Sequence, residues 1–184
     1  MRAPIGTFDN AVPAPDRIDL LPDPVADAVR AWKGEVPVER FLFVDSDPAL
    51  ADTANFVAHY GADLEDASAN CVVVAGKRAG ETTYAGCLVL SRTRVDVNGA
   101  VRRHLGARKA SFAPMDAAVE RTGMEYGGIT PIGLPEGWPL LVDPAVVATE
   151  WVLVGSGSRR GKLIVPGAAF AELPGAVLVE GLGA

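Results

Sequence analysis

Glycine and proline interrupt this chain so often that its secondary structure elements must be short. The 184 residues include 20 glycines and 14 prolines, about 18% of the chain against a usual share of about 12%. The longest strand-like apolar runs, residues 71–75 and 151–154, are far shorter than the ~20 residues that span a membrane. Apolar residues still make up 49% of the chain, enough for a hydrophobic core at this length. We therefore expect a loop-rich globular domain that does not associate with membranes.

The beginning of the chain differs from the rest. Residues 1–22 hold four prolines and show little periodicity, which indicates an extended arm, and Asp23-Pro24 predicts the start of a short helix. We therefore divide the chain into an N-terminal arm with a short helix, residues 1–37, and one domain, residues 38–184. The arm lacks the apolar segment of a secretory signal, and two cysteines make neither a disulfide framework nor a zinc site. We expect a cytoplasmic protein without metal or cofactor.

The order of the predicted elements favours an α+β fold. Strands at residues 70–75 and 83–90 form a predicted hairpin around the loop 76–81. The other predicted strands are residues 40–44, 109–113, 139–142, 150–154, 162–165 and 176–179. Short helices are predicted to begin at Asp23, at Asp47, at Asp96 or Asn98, at Pro114 and near Ala168. Because strands and helices do not alternate regularly, we expect one domain with a mixed β-sheet and flanking helices rather than a doubly wound parallel sheet.

Charge is unevenly distributed along the sequence. The net charge is −6, which on average does not favour nucleic-acid binding. Residues 45–66 contain six acidic residues and no lysine or arginine, whereas residues 92–109 contain six basic residues and one acid. A local field of this kind can bind a polyanion even in an acidic protein. The alternative is that both segments are ordinary solvated surfaces.

Side chains that usually carry catalysis are sparse in this sequence. It contains no Walker A, GxGxxG, HExxH, CxxC or GxSxG motif. His59 is predicted to lie on a helix surface, and His104 follows two arginines and is expected to join a basic face. Cys71 lies in a predicted strand without a polar activator, which is typical of a structural cysteine.

A glycine-rich loop at residues 122–133 is the segment most suggestive of a site. Gly127-Gly128 allows positive φ and leaves backbone N–H groups uncovered by a Cβ atom. Such a loop can line a pocket with fixed donors, as an oxyanion hole does. The alternative is a tight connection between a helix and a strand, stiffened by Pro131.

Four segments together carry a family resemblance. In chain order they are residues 105–113 (LGARKASFA), 123–133 (GMEYGGITPIG), 140–143 (LLVD) and 154–159 (VGSGSR). This series resembles the YbaK/EbsC family of aminoacyl-tRNA deacylases, which are related to the editing domain of prolyl-tRNA synthetase. The resemblance covers residues 38–179. It implies a single α+β domain with a mixed, strongly curved β-sheet and flanking helices.

The resemblance also implies an activity. Family members hydrolyse the ester between a mischarged small amino acid and the 3′ end of tRNA, and tRNA for proline is the expected acceptor here. They are thought to use backbone amides and a positioned water or ribose hydroxyl, with no side-chain nucleophile and no metal. Aminoacyl-tRNA is thus the implied partner. An aminoacyl-tRNA synthetase, bound through the acidic segment 45–66, is a further candidate.

Transferred to this chain, the resemblance implies three groups of functional residues. The expected catalytic group is Gly127, Gly128, Thr130 and Asn70. The expected substrate-binding group is Ile129, Pro131, Gly133, Gly155, Ser156, Gly157 and Asp143. The expected tRNA-binding group is Arg102, Arg103, Lys109, Arg159 and Arg160.

Asn70 marks a departure from the family. Family members typically have a lysine at this position, and the neutral amide of asparagine cannot supply a charge-assisted hydrogen bond. Lys77 and Lys109 are the nearest candidate replacements. The departure favours an alternative function, in which the chain is a catalytically depleted binding module that recognises an aminoacyl-tRNA end or a nucleotide without hydrolysis.

Overall fold

The computed structural model describes residues 1–184, except for the side chain of Thr53. Within that part of the chain the strands form two sheets. The first contains Val12–Pro13 (β1), Leu42–Val44 (β2), Trp151–Gly155 (β7) and Lys162–Pro166 (β8), in the order β1-β2-β8-β7. The second contains Ala69–Arg78 (β3), Glu81–Leu90 (β4), Lys109–Phe112 (β5), Leu140–Val142 (β6) and Ala176–Leu178 (β9), in the order β5-β3-β4-β6-β9.

Short helices connect these strands. The α-helices are Asp23–Arg30 (α1), Thr53–Tyr60 (α2), Leu64–Ala67 (α3), Arg102–His104 (α4), Met115–Thr122 (α5) and Pro144–Val147 (α6). The 3-10 segments are Ala14–Leu20, Val38–Arg40, Pro48–Leu50 and Gly167–Ala171, and a π-helical turn covers Val97–Val101. Among the described residues, none of the helices has the length and apolar character needed to cross a membrane.

The predicted α+β class with a mixed sheet is confirmed. In the second sheet β3 pairs antiparallel with β4 and β5, whereas β4, β6 and β9 run parallel to one another. The strands nevertheless divide between two sheets, since β7 and β8 pair with β2 and not with the long hairpin. A parallel bridge between Ser68 and Leu153 joins the two sheets where β3 begins.

The hairpin is longer and its turn tighter than the sequence predicted. Both strands continue to the Arg78–Glu81 pair, which leaves only Ala79 and Gly80 as the connection. Their φ angles are 51° and 82°, and positive φ at both positions matches the right-handed twist of paired strands. The predicted loop 76–81 was wrong because Gly76 and Lys77 pair within the ladder instead of forming the turn.

Several helix boundaries also differ from those predicted. Asp47 caps only the 3-10 turn at Pro48–Leu50, and α2 begins later, where the Asp52 carboxylate accepts from the N–H groups of Ala54 and Asn55. Asp96 likewise caps the π-helical turn rather than one continuous α-helix. Asp47 and Asp96 cap the turns that follow them, but a cap does not determine how many turns follow it. The cap predicted at Asp23 was wrong, because Asp23 lies inside α1 and Pro22 precedes the helix without a side-chain cap.

Three hydrophobic clusters hold the domain together. The largest joins both sheets and α1 and includes Leu88, Leu163 and Phe170, which are almost fully buried. A second cluster lies on the other side of the first sheet and contains Phe8 and Phe56. A third covers the other face of the second sheet. Parts of residues 1–37 contribute to the first two clusters, so this segment packs on the sheets.

Two leucines, one in the core and one on an exposed edge strand, allow the assigned core to be tested. Leu163 is fully buried in the largest cluster, whereas Leu178 on the edge strand β9 is 50% exposed. We expect Leu163→Ala to lower the free energy of unfolding by about 2–5 kcal/mol and Leu178→Ala by less than about 0.5 kcal/mol. Urea unfolding of both variants measures this. Similar losses in the two variants would contradict the assigned core.

Candidate active site

A pocket of about 320 Å³ opens where the two sheets meet. Its walls come from the first half of β3, the end of β7, the start of β8, α2 and the glycine-rich loop. Strand β5 pairs with β3 only from Val74 onward. Residues 69–73 therefore begin β3 without β5 beside them, and this stretch lines the pocket.

Backbone hydrogen bonds fasten two glycine-rich segments together at the pocket. The N–H of Glu125 donates to the carbonyl of Gly157 over 2.9 Å, and the N–H of Gly157 donates to the carbonyl of Gly128 over 2.8 Å. We call this paired arrangement of residues 125–129 and 155–158 the glycine clasp. It brings Gly127, Ile129 and Gly155 to the same pocket.

The clasp depends on the absence of side chains at two positions. A Cβ atom on Gly155 would press against the carbonyl oxygen of Gly128 and lie 2.8 Å from that of Ile129. A Cβ atom on Gly128 would press against the carbonyl of Ser158 and lie 2.9 Å from its nitrogen. Because these obstacles are backbone atoms, only glycine permits so close an approach.

The N–H groups of the loop are not equally available. Gly128 N–H donates to the carbonyl of Glu125 over 3.0 Å, so this predicted oxyanion donor is already engaged within the loop. Among the described hydrogen bonds, none uses the N–H groups of Tyr126, Gly127 or Ile129, and all three residues line the pocket. The N–H groups of these three residues remain available to a ligand.

The rest of the predicted loop residues lie away from the pocket. Thr130 is fully buried beneath it, with its N–H 3.5 Å from the Met124 sulfur, and its hydroxyl has no hydrogen-bond partner among the described residues. Pro131 and Gly133 face a different groove, which Trp32 also lines. The segment therefore contributes to two different pockets, Gly127 and Ile129 to one and Pro131 and Gly133 to the other.

Asn70 and Cys71 lie next to each other on the pocket wall. Asn70 is exposed, and Cys71 is half-buried. Burial raises the pKa of the Cys71 thiol far above its ordinary value, so the thiol stays protonated and is a poor nucleophile. Among the described residues, no group of three or more His, Cys, Asp and Glu side chains is placed to hold a metal ion.

Lys162 is a pocket residue that the sequence analysis did not identify. It opens β8, is only 9% exposed and lines the pocket, with its Nζ 5.5 Å from the centroid of the Phe56 ring. Burial, together with the nearby charge of Arg159, lowers the pKa of its ammonium. The available signal was a lysine at the first position of an otherwise apolar strand.

Other predicted substrate-binding residues have structural partners instead. The Ser156 hydroxyl donates to the carbonyls of Arg160 and Gly161 over 3.1 Å and so holds the turn after β7 closed. Asp143 caps α6 and also accepts from the N–H of Gly183 over 2.8 Å. The structure does not bring Asp143 to the pocket, and the members of the substrate-binding group that line it are Ile129 and Gly155.

The predicted tRNA-binding residues fall into two places. Arg159 and Arg160 follow the clasp. Arg159 donates to the carbonyl of Pro48 over 3.3 Å. Arg160 forms two hydrogen bonds of 3.0 and 2.9 Å with Asp45, which lower the pKa of that carboxyl.

The second basic group is more distant from the pocket. Arg102 and Arg103 are exposed on α4, and Lys109 is exposed on β5 opposite Lys77. Phe112, at the other end of β5, lines the pocket and is 59% exposed. Phe112 is three positions after Lys109 in β5, a distance of about 10 Å along the strand.

Glycine substitutions test the clasp. We expect Gly155→Ala to lower the free energy of unfolding by about 2–3 kcal/mol, because the new methyl group collides with backbone that cannot move aside. Gly137→Ala is the control: its φ is +82° but no atom lies within 4 Å of the added Cβ, so its cost is about 1 kcal/mol. Chemical denaturation compares them, and equal losses would contradict the close approach.

Comparisons with known proteins agree with this architecture. Residues 47–173 match the aminoacyl-tRNA editing domain family. No curated protein sequence matches the chain. Among solved structures, a candidate trans-editing enzyme for prolyl tRNA synthetase is 20% identical with a TM-score of 0.68, covering 86% of this chain and 96% of its own. The hypothetical protein APE2540 is 21% identical with a TM-score of 0.63, covering 79% and 91%. These two show the same fold, and the family match shows that the chain belongs to the aminoacyl-tRNA editing domain family.

Proposed function

We propose that the chain acts in trans as an aminoacyl-tRNA deacylase that removes a small mischarged amino acid, with tRNA for proline as the acceptor. The observation that carries this proposal is the pocket at the glycine clasp. It lies within the segment that matches the editing family and combines free backbone donors with a buried cation. The prolyl system is suggested by the name of one structural relative.

The dimensions of the pocket favour a small aminoacyl group. A volume of about 320 Å³ is at the lower end of the range for ligand sites. Apolar side chains, among them Phe56, Val57 and Leu153, form much of its wall. This small, largely apolar pocket suits an alanyl or cysteinyl group better than a large aromatic side chain.

Hydrolysis at this site uses main-chain groups. A water molecule adds to the carbonyl carbon of the ester, and the carbonyl oxygen takes up the negative charge. The N–H groups of Gly127 and Ile129 stabilise that oxyanion, and such a donor contributes about 3 kcal/mol in other enzymes. The C–O bond to the ribose then breaks, and the proton lost by the water passes to the leaving ribose oxygen. The products are the free amino acid and uncharged tRNA.

Side chains at the mouth orient this reaction. The exposed amide of Asn70 can donate to and accept from the attacking water or a ribose hydroxyl. The exposed rings of Phe112 and Tyr126 both line the pocket. Aromatic faces of this kind stack unpaired RNA bases, so we place the terminal base of the tRNA there.

Basic residues outside the pocket position the acceptor arm. Arg159 lies beside Gly127 at the mouth, and Arg160 follows it. Arg102, Arg103 and Lys109 lie further along the surface and meet phosphates of the stem. Contacts with phosphates fix the orientation of the RNA without reading its sequence.

The reaction is tested by single-turnover release of amino acid from a panel of tRNAs. We expect alanyl- and cysteinyl-tRNA for proline to be hydrolysed at least about tenfold faster than phenylalanyl-tRNA, a difference of ~1.4 kcal/mol in the barrier. Spontaneous hydrolysis without protein is the control. Binding of these substrates without any acceleration would instead support the alternative, a binding module that does not hydrolyse the ester.

The basic face is tested by salt dependence. We expect the double variant Arg102→Ala/Arg103→Ala to bind uncharged tRNA for proline more weakly and to reduce the slope of log K against log salt by about 2, one for each lost phosphate contact. Arg30→Ala is the control, because Arg30 is an exposed arginine on α1 that pairs with Asp27. An unchanged slope in the double variant would show that residues 92–109 are an ordinary solvated surface that does not bind tRNA.

A further inference from the structure

Lys162 is a buried cation whose negative partner is missing from the described part of the chain. Lysine is almost never this buried unless it is paired, and a buried charge without compensation is costly. The described salt bridges involve other residues, and none of the described hydrogen bonds uses the Nζ of Lys162. Its nearest recorded interaction is with the Phe56 ring, which compensates an ammonium only in part.

The groups that face Lys162 are neutral or positive. Strand β2, whose Val44 pairs with Lys162, leads into Asp45, but Arg160 already binds that carboxylate. Helix α2 contributes the Phe56 ring, and the turn after β7 contributes the charge of Arg159. The other titratable groups of the pocket wall are the Cys71 thiol on β3 and the Tyr126 phenol on the loop. Among the described lining residues there is no carboxylate, so an oxygen of a bound molecule can take the place of the missing partner of Lys162.

The sheet register places this cation beside the glycine clasp. Lys162 is the direct partner of Gly155 across the β7–β8 pair, and Gly155 packs against the carbonyls of Gly128 and Ile129. The ammonium and the free N–H groups of Gly127 and Ile129 thus belong to one pocket. Exposed arginines can bind tRNA phosphates at the protein surface. Lys162 is only 9% exposed, so it can contact only the part of the substrate that enters the pocket.

We propose that Lys162 is a catalytic residue of this pocket, whose ammonium contacts the carbonyl oxygen of the bound aminoacyl ester. The proposal rests on the deacylase function proposed above. When water adds to the ester carbon, the electron pair of the C=O π bond moves onto that oxygen, and Lys162 stabilises the resulting negative charge alongside the backbone donors. The charge returns to re-form the C=O bond as the ribose oxygen leaves with the proton from the water.

The test compares Lys162→Met, which keeps the length of the side chain and removes its charge, with Lys162→Arg, which keeps a charge. Alanyl-tRNA for proline is the substrate, at saturating protein and in single turnover. We expect Lys162→Met to slow release at least tenfold and Lys162→Arg to retain more activity than Lys162→Met. Lys33→Met, an exposed lysine distant from this pocket, is expected to match the natural protein.

Thermal stability distinguishes this role from a structural one. A methionine at this position buries no charge, so we expect Lys162→Met to melt at the same temperature as the natural protein or higher. The pH dependence gives a second readout. Because the pKa of Lys162 is lowered, its charge is lost at high pH while that of arginine persists, so the rate of the natural protein relative to Lys162→Arg falls as the pH rises.

The possible failures are distinguishable. If the natural protein releases no amino acid faster than buffer does, the deacylase function is refuted, together with the role of Lys162 in it. If the natural protein is active and folded Lys162→Met is equally fast, only the role of Lys162 is refuted. If Lys162→Met melts at a lower temperature and Lys162→Arg is equally slow with an unchanged pH profile, the lysine is structural and the proposal is overturned.

Discussion

Two backbone hydrogen bonds at the glycine clasp hold the candidate site in place. They join the loop after α5 to the turn after β7, so segments more than 25 residues apart in sequence share a pocket wall. The hydrogen bond from the N–H of Gly157 to the carbonyl of Gly128 holds the loop against the first sheet. The hydrogen bond from the N–H of Glu125 to the carbonyl of Gly157 completes the pairing of the two segments. The remaining pocket residues are arranged around this junction by β3, β8 and α2.

Under the proposed deacylase function, a site made from main chain accounts for the sparse catalytic side chains of the sequence. The N–H of Gly128 is engaged within its own loop, whereas the N–H groups of the pocket residues Gly127 and Ile129 have no partner among the described hydrogen bonds. Donors fixed in this way need no reorganisation during the reaction, which is the advantage of a preformed oxyanion hole. The pocket residue that carries a charge is Lys162, and in our proposal an oxygen of the substrate compensates its burial.

The sequence predicted the fold class, because short strands and helices leave local signals. Apolar runs and capping residues indicated most strands and helices, and Gly127-Gly128 indicated backbone N–H groups uncovered by a Cβ atom in a loop that does line the pocket. The hairpin turn was misjudged at Gly76 and Lys77, since a two-residue turn at Ala79-Gly80 is decided by pairing along the whole ladder.

Local sequence patterns could not predict which residues from distant parts of the chain come together at the pocket. Nothing near Lys162 in sequence indicates that β8 starts beside the clasp, because that position follows from its pairing with β7. Pro131 and Gly133 belong to the same motif as Gly127 yet face another groove. Asp143 ends a strand, as expected, but its carboxylate serves a cap and the N–H of Gly183. Because we grouped residues by their position in the sequence motifs, we predicted more residues at the pocket than the structure places there.

The most direct test of the central claim is to observe where an aminoacyl end binds. The probe is alanine linked by an amide to 3′-amino-3′-deoxyadenosine, which cannot be hydrolysed as an ester, titrated into ¹⁵N-labelled protein. The pocket at the clasp predicts chemical-shift changes concentrated at the amides of residues 69–73, 126–129 and 153–155 and at Lys162. Changes confined to the groove lined by Trp32 and Trp138, with the clasp unaffected, would contradict the account.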